Sequence, residues 1–164
     1  MLAFLDTEFT DFTHPRLISL ALVAEDGREF YAECSDFPLD ECNTFVLDEV
    51  LPLLGRVPGA QCSRSVLAER LRKWFDALPE PVIVIADFEG DWTLMRELLT
   101  DCGKKELPAN LGEKQVLGDS ILSDPVFDRK KNLKYTLDWP PHHALADARA
   151  LMAGYRAWQT SMEK

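Results

Sequence analysis

Hydrophobic and polar positions change period several times along this chain, and each change marks an element. Residues 1–9 open with Leu2, Ala3, Phe4 and Leu5, an apolar run that reads as the start of a buried strand. Leu17–Ala24 (LISLALVA) reads as a second strand, and Glu25-Asp26-Gly27 behind it is a hairpin turn. Arg28–Cys34 alternates Phe30, Ala32 and Cys34 against Glu29, Tyr31 and Glu33, as a third strand would. These three form an antiparallel meander. Asn43–Leu54 carries Val46, Leu47, Val50, Leu51 and Leu54 at helical spacing, with Pro52 kinking or ending it. Val66–Leu78 sets Leu67, Leu71, Trp74, Phe75 and Leu78 at helical spacing until Pro79 and Pro81 stop it.

Pro81–Ala86 (PVIVIA) is a nearly continuous apolar run, as expected of a strand buried on both faces. Gly90 leads into a helix over Asp91–Asp101 with Leu94, Met95, Leu98 and Leu99 as its apolar stripe. A short strand near Gln115–Leu117 follows. Arg129–Leu137 reads equally as a helical turn or a basic loop, and a last helix opens at His143 or Ala144 and reaches about Gln159. The pattern predicts one α/β domain over residues 1–164, a single mixed sheet with helices on both faces.

Composition narrows the partners more than the fold. The chain has 164 residues, 46% hydrophobic and 28% charged, ordinary for a soluble globular protein. No stretch approaches the roughly 18 apolar residues of a membrane span. The start of the chain shows no basic segment ahead of a long apolar core, so no secretory signal is expected. Cys34, Cys42, Cys62 and Cys102 form no C-x-x-C pair. Free thiols in a reducing cytoplasm are expected, not disulfides or a cysteine-rich zinc site. Eighteen Lys and Arg against 28 Asp and Glu give a formal charge of −10. That disfavours coating nucleic acid by bulk charge, though it leaves room for gripping a strand end.

Against this background the stretch LDTEFT (5–10) stands out, because Asp6 and Glu8 follow straight after the apolar run. Two positions apart on a strand, they project from one face. Buried carboxylates are expensive, and neighbouring ones more so. Two further acids sit at awkward places. In ADFEGDWTLM (86–95), Asp87 follows a buried strand and Asp91 begins a helix, where an acid often does no more than cap it. In PPHHALADARA (140–150), His142 precedes Asp147 by five residues, and Ala144 and Ala148 would let the helix pack close to the sheet. The two histidines lack the further ligands of a tetrahedral zinc site.

D-x-E on the first strand, an Asp after a buried strand and H-x-A-x-x-D near the C-terminus resemble the DEDDh group of 3′–5′ exonucleases. These include the polymerase proofreading subunits, ribonuclease T and oligoribonuclease. The likeness spans nearly the whole chain and implies an RNase H-like mixed sheet, three antiparallel strands continued by parallel ones. It favours Asp91 as the middle acid, with Leu94 and Met95 following, and leaves Asp87 as a supporting or substitute candidate. By its spacing to Asp147, His142 and not His143 matches the family histidine. The Thr-Thr-Gly usual after D-x-E is replaced by Thr7, Phe9 and Thr10, with Asp11 at the glycine position. The DTEF opening resembles small stand-alone bacterial exoribonucleases more than polymerase-associated members.

The resemblance implies a two-cation centre. Four carboxylates from separate elements would repel one another unless two divalent ions, Mg²⁺ or Mn²⁺, lay among them. Asp6 would bridge both, Glu8 and Asp147 would complete one shell, and Asp91 would hold the second ion. His142 would take the proton of the attacking water, releasing a nucleoside 5′-monophosphate.

For the substrate, Thr7, Phe9 and Thr10 flank the acids. Phe9, Phe12 and Trp92 could stack on bases, although a tryptophan at such a position more often belongs to the core. Arg129, Lys130, Lys131 and Lys134 form one basic cluster, equally readable as a backbone grip or a solvated loop. The expected partner is single-stranded nucleic acid, RNA favoured over DNA, and the Val66–Leu78 helix offers apolar surface for a homodimer. Trimming of DNA and a catalytically silent nucleic-acid-binding module are the alternatives.

Overall fold

The three leading strands form where the apolar pattern puts them: β1 (Leu2–Phe9), β2 (Leu17–Ala24) and β3 (Glu29–Cys34). The computed structural model describes residues 1–101 and 106–163. Beyond the meander come β4 (Gln61–Cys62), α1 (Arg64–Asp76), β5 (Val82–Ala86) and α2 (Glu89–Asp101). They are followed by β6 (Leu111–Val116), α3 (Asp119–Leu122), α4 (Pro125–Asn132) and α5 (Ala144–Met162). The sheet order is β4-β3-β2-β1-β5-β6. β1, β2 and β3 pair antiparallel, while β5 joins β1, β6 joins β5 and β4 joins β3 in parallel. The expected mixed sheet is present.

Alternation along β1 splits the core into two layers. Ala3 and Leu5 pack with Leu20, Leu22, Val82 and Val84 against Leu67, Leu71 and Phe75 of α1 and Leu94, Met95 and Leu98 of α2. Phe4, on the other face, meets Ile85, Phe127 of α4 and Leu151 and Tyr155 of α5, while Ala21 and Val23 meet Ala144 and Ala148. Asp6 and Glu8 share the face of Phe4, so β1 aims them under the start of α5. The small residues Ala144 and Ala148 are fully buried there, as their size predicted.

One strand expectation needs correction. β5 is not buried throughout: Ile83 is 40% exposed, because the α4 and α5 layer covers Ile85 and not Ile83. The face of β3 that carries Glu29, Tyr31 and Glu33 is not fully solvated. Glu33 is 1% exposed, accepting the Gly55 N–H at 3.0 Å and the Tyr31 hydroxyl at 2.8 Å. The segment that carries Gly55 folds over that face, so Glu33 works as an internal acceptor rather than a solvated end.

This segment is helical but irregular. Val46–Val50 is one π turn, Leu51–Leu53 is 3₁₀ with Pro52 inside it, and Val46 and Val50 bury against Ile18. The turn at Gly27 has φ 93°, a left-handed conformation that glycine adopts without strain. Both readings of Arg129–Leu137 hold in part. α4 starts earlier, at Pro125 behind the Asp124 cap, and ends at Asn132, with irregular chain beyond. α4 also lies very close to α5 at Gly154, where a Cβ would fall 3.0 Å from the Phe127 ring and from its carbonyl oxygen. Cys34, Cys42 and Cys62 are free thiols, and Cys102 lies outside the described residues. Among the described residues, no helix is long and apolar enough to cross a membrane.

Candidate metal centre and its cleft

Four elements deliver carboxylates to one place. β1 brings Asp6 and Glu8, the end of β5 brings Asp87, the first turn of α2 brings Asp91 and the first turn of α5 brings Asp147. One oxygen from each of Asp6, Asp87 and Asp91 lies within 4.8 Å of the others, and the same holds for ligand atoms of Glu8, His142 and Asp147. The five acids and His142 come from three separate stretches of sequence, residues 6–8, 87–91 and 142–147, and the fold gathers them. Asp87, the supporting candidate, joins the group.

Each acid is held by a different neighbour. Thr7, on the α2 face of β1, donates its hydroxyl to Asp91 Oδ1 at 2.6 Å. Asp147 accepts the Tyr135 hydroxyl at 2.5 Å and the His142 backbone N–H at 2.9 Å. Asp87 accepts the Lys131 ammonium at 2.7 Å. Asp6 Oδ2 is buried with no hydrogen-bond partner among the described residues. An unpaired anionic oxygen in such a place is costly. An all-oxygen set ending in that orphan atom fits hard divalent cations such as Mg²⁺ or Mn²⁺.

The charges are mutually unfavourable without a cation. Burial, then the charges of Asp147, Asp91 and Glu8, raise Asp6 well above the usual carboxylate range. Burial, then Asp147 and Asp91, push Glu8 up to about 8. Burial lifts Asp91 to about 7 despite the Thr7 bond, and lifts Asp147 despite Tyr135 and His142. The sign for stability follows. Folded-state values above the unfolded ones mean that the native state binds more protons between them, so stability falls as pH rises through that interval. In EDTA the thermal midpoint is therefore expected to drop between about pH 5 and about pH 8, by on the order of a few kcal/mol in stability. Saturating Mn²⁺ should flatten the curve. A midpoint in EDTA that rises across this range would contradict the arrangement.

His142 sits at the rim, its ring edge-on to Phe45 with centroids 4.9 Å apart. Its φ of 67° is left-handed, uncommon for a non-glycine residue, and the bond from its N–H to Asp147 holds it there. His143 is elsewhere: 2% exposed, stacked on Tyr31 and edge-on to Trp139. Of the two histidines, His142 is the one placed beside Glu8 and Asp147.

Beside the centre lies a cleft of about 400 Å³ lined by Glu8, Phe9, Phe12, Asn43, Phe45, Val46 and His142. Phe9, Phe12 and Phe88 form an aromatic group at its lip, with centroids 5.1–6.0 Å apart. Of the residues expected to touch substrate, Phe9 and Phe12 line this cleft. Thr7 is turned inward to Asp91, Thr10 is fully buried with its hydroxyl accepting the Arg16 N–H, and Trp92 packs in the α1–α2 core layer. Lys130 is exposed, whereas Lys131 is tied to Asp87. Phe45 and Phe88 escaped the sequence reading. Phe45 lies outside the apolar stripe of its helical segment, and an aromatic left at 50% exposure is the signal that marks it.

Known proteins resemble this chain in part of its sequence and in fold. No family model matches the chain. Two curated 3′–5′ exoribonucleases, from the CDC 1551 and H37Rv strains of Mycobacterium tuberculosis, are 44% identical to it over 63 residues. The match covers 38% of this chain and only 37% of each relative. Among solved structures, exonuclease I of Methylocaldum szegediense superimposes with a TM-score of 0.63 at 17% identity over 99% of this chain and 41% of that one. An Escherichia coli exonuclease I–single-stranded DNA complex in its zinc-bound form gives 0.62 at 14% identity, over 99% and 41% of the two chains. The nuclease domain of 3′hExo, a DEDDh family member bound to rAMP, gives 0.61 at 14% identity over 99% of this chain and 93% of that domain. Over nearly its whole length the chain shares the fold of these exonuclease structures, and over 63 residues it resembles the two exoribonucleases in sequence.

Proposed function

We propose that this chain is a metal-dependent 3′–5′ exonuclease that removes nucleoside 5′-monophosphates from single-stranded RNA or short oligoribonucleotides. The observation that carries the reading is the meeting of Asp6, Glu8, Asp91 and Asp147 with His142 at the end of one aromatic cleft. Asp6, Glu8, Asp91 and Asp147 would hold two divalent cations, which supply Lewis-acid stabilisation of the attacking and leaving oxygens of phosphodiester hydrolysis.

The chain's own residues do the rest. His142, exposed at the rim and within 4.8 Å of Glu8 and Asp147, takes the proton of the attacking water as general base. Asp147 fixes its backbone, and Tyr135 fixes Asp147. Phe9, Phe12 and Phe45 offer flat apolar surfaces on which a terminal base can stack, with little dependence on its identity. Lys130 on α4 remains free to meet a backbone phosphate. The three free thiols suit a reducing cytoplasm. Every residue named belongs to one chain, so this reading requires no second copy, although a homodimer is compatible with it.

The preference for RNA rests on the exoribonuclease relatives, while the E. coli likeness to a single-stranded DNA complex favours the alternative of trimming DNA. End-labelled single-stranded RNA and DNA, each with Mg²⁺, Mn²⁺ or EDTA, test both parts. A ladder shortening from the 3′ end only with metal, and faster on RNA, is the expected result. Equal rates on DNA would remove the RNA preference. Binding of either polymer without cleavage under any metal would replace the enzyme by a binding module.

A further inference from the structure

Lys131 reaches the carboxylate group from the last turn of α4 and places its ammonium 2.7 Å from Asp87 Oδ2. The partners are 44 residues apart, and their side chains are only 25% and 22% exposed. This is no loose surface pair. Asp87 in turn offers an oxygen within 4.8 Å of oxygens on Asp6 and Asp91. The ammonium is therefore a cation set against the carboxylates that would take a divalent ion. The neighbouring basic residues Arg129, Lys130 and Lys134 are exposed, so this role falls to Lys131.

Lysine suits it physically. Its charge is a compact point on a flexible four-carbon stem, able to approach an acid and to withdraw. Two cations on one carboxylate repel each other strongly at the low effective dielectric of a partly buried site. Metal on Asp87 and ammonium on Asp87 thus disfavour each other.

Resting on the reading above, we propose that Lys131 is a positioning residue that stands in for a divalent cation. It neutralises Asp87 while the centre is metal-free and competes with the ion that Asp6, Asp87 and Asp91 would share. Metal loading then includes release of the Asp87–Lys131 pair, and Asp87 counts among the ligands only after that release.

Calorimetric titration of the full chain with Mn²⁺ alone tests this. Lys131→Met is expected to bind Mn²⁺ at least about ten-fold tighter at one site, because the competing charge is gone. A residue with a merely structural role would do the opposite, since loosening α4 would weaken binding. Lys131→Gln gives the same reading should the methionine variant fail to fold. Unchanged or weaker Mn²⁺ affinity in the folded variants overturns the competition while leaving the exonuclease reading intact. Failure of the unaltered chain to bind Mn²⁺ overturns both.

Discussion

Changing His142 to alanine or asparagine is expected to lower kcat by about 10²–10⁴-fold while leaving Mn²⁺ binding near that of the unaltered chain. The size follows from what a positioned base contributes, and the spared binding follows from place. The ring stands at the exposed rim, against Phe45, and approaches Glu8 and Asp147 from the solvent side. Two variants are needed because of the backbone. With φ at 67°, alanine inherits a left-handed strain of about 1 kcal/mol or more, whereas asparagine enters that region far more easily. A fall in rate shared by both variants reports the lost imidazole; one confined to alanine reports a displaced loop. Steady-state turnover on a 3′-labelled oligoribonucleotide, with calorimetric Mn²⁺ titration alongside, makes the comparison. Asparagine turning over at near-normal rates would assign the proton to another group.

The second large effect is at Asp6. Asparagine there keeps the shape and removes one charge from a group whose other members already raise one another by burial and repulsion. Nuclease turnover is expected to fall by several orders of magnitude, since the orphan oxygen of Asp6 is the atom most in need of a cation. The same change is expected to raise the thermal midpoint in EDTA by several degrees at neutral pH, because like charges are relieved. Mn²⁺ should then add little further stability. Melting curves with and without Mn²⁺ decide it: a variant that is less stable in EDTA, yet still gains fully from Mn²⁺, would show that Asp6 does not face the ion. Loss of function with gain of stability is the mark of a group kept for chemistry.

How far the sequence reached can be judged from these same residues. The β1–β3 meander was legible because β1 and β2 carry apolar runs, a turn sequence follows β2 and β3 alternates. Asp6, Glu8, Asp91, His142 and Asp147 were legible because short spacings tie each to the start or end of such an element. Asp87–Lys131 and Tyr135–Asp147 were not paired in advance, since each depends on where α4 settles against α5. The burial of Glu33 was not legible, because nothing in the alternation of β3 foretells the irregular segment that covers it. β4, with two residues, and α3, with four, are too short to carry a period at all.

The tight seam between α4 and α5 has a consequence for how the centre is assembled. Lys131 hangs from the end of α4 and Tyr135 follows three residues beyond it, so both gain their reach from a spacing set by Gly154 and Phe127. Gly154 touches neither, yet a methyl group there would push on the Phe127 backbone and draw ammonium and phenol back together. The acids on β1 and α2 would stay put, anchored in the sheet and its opposite layer. One half of the centre is thus bolted to the scaffold, and the other is cantilevered from a helix crossing with little room for added bulk.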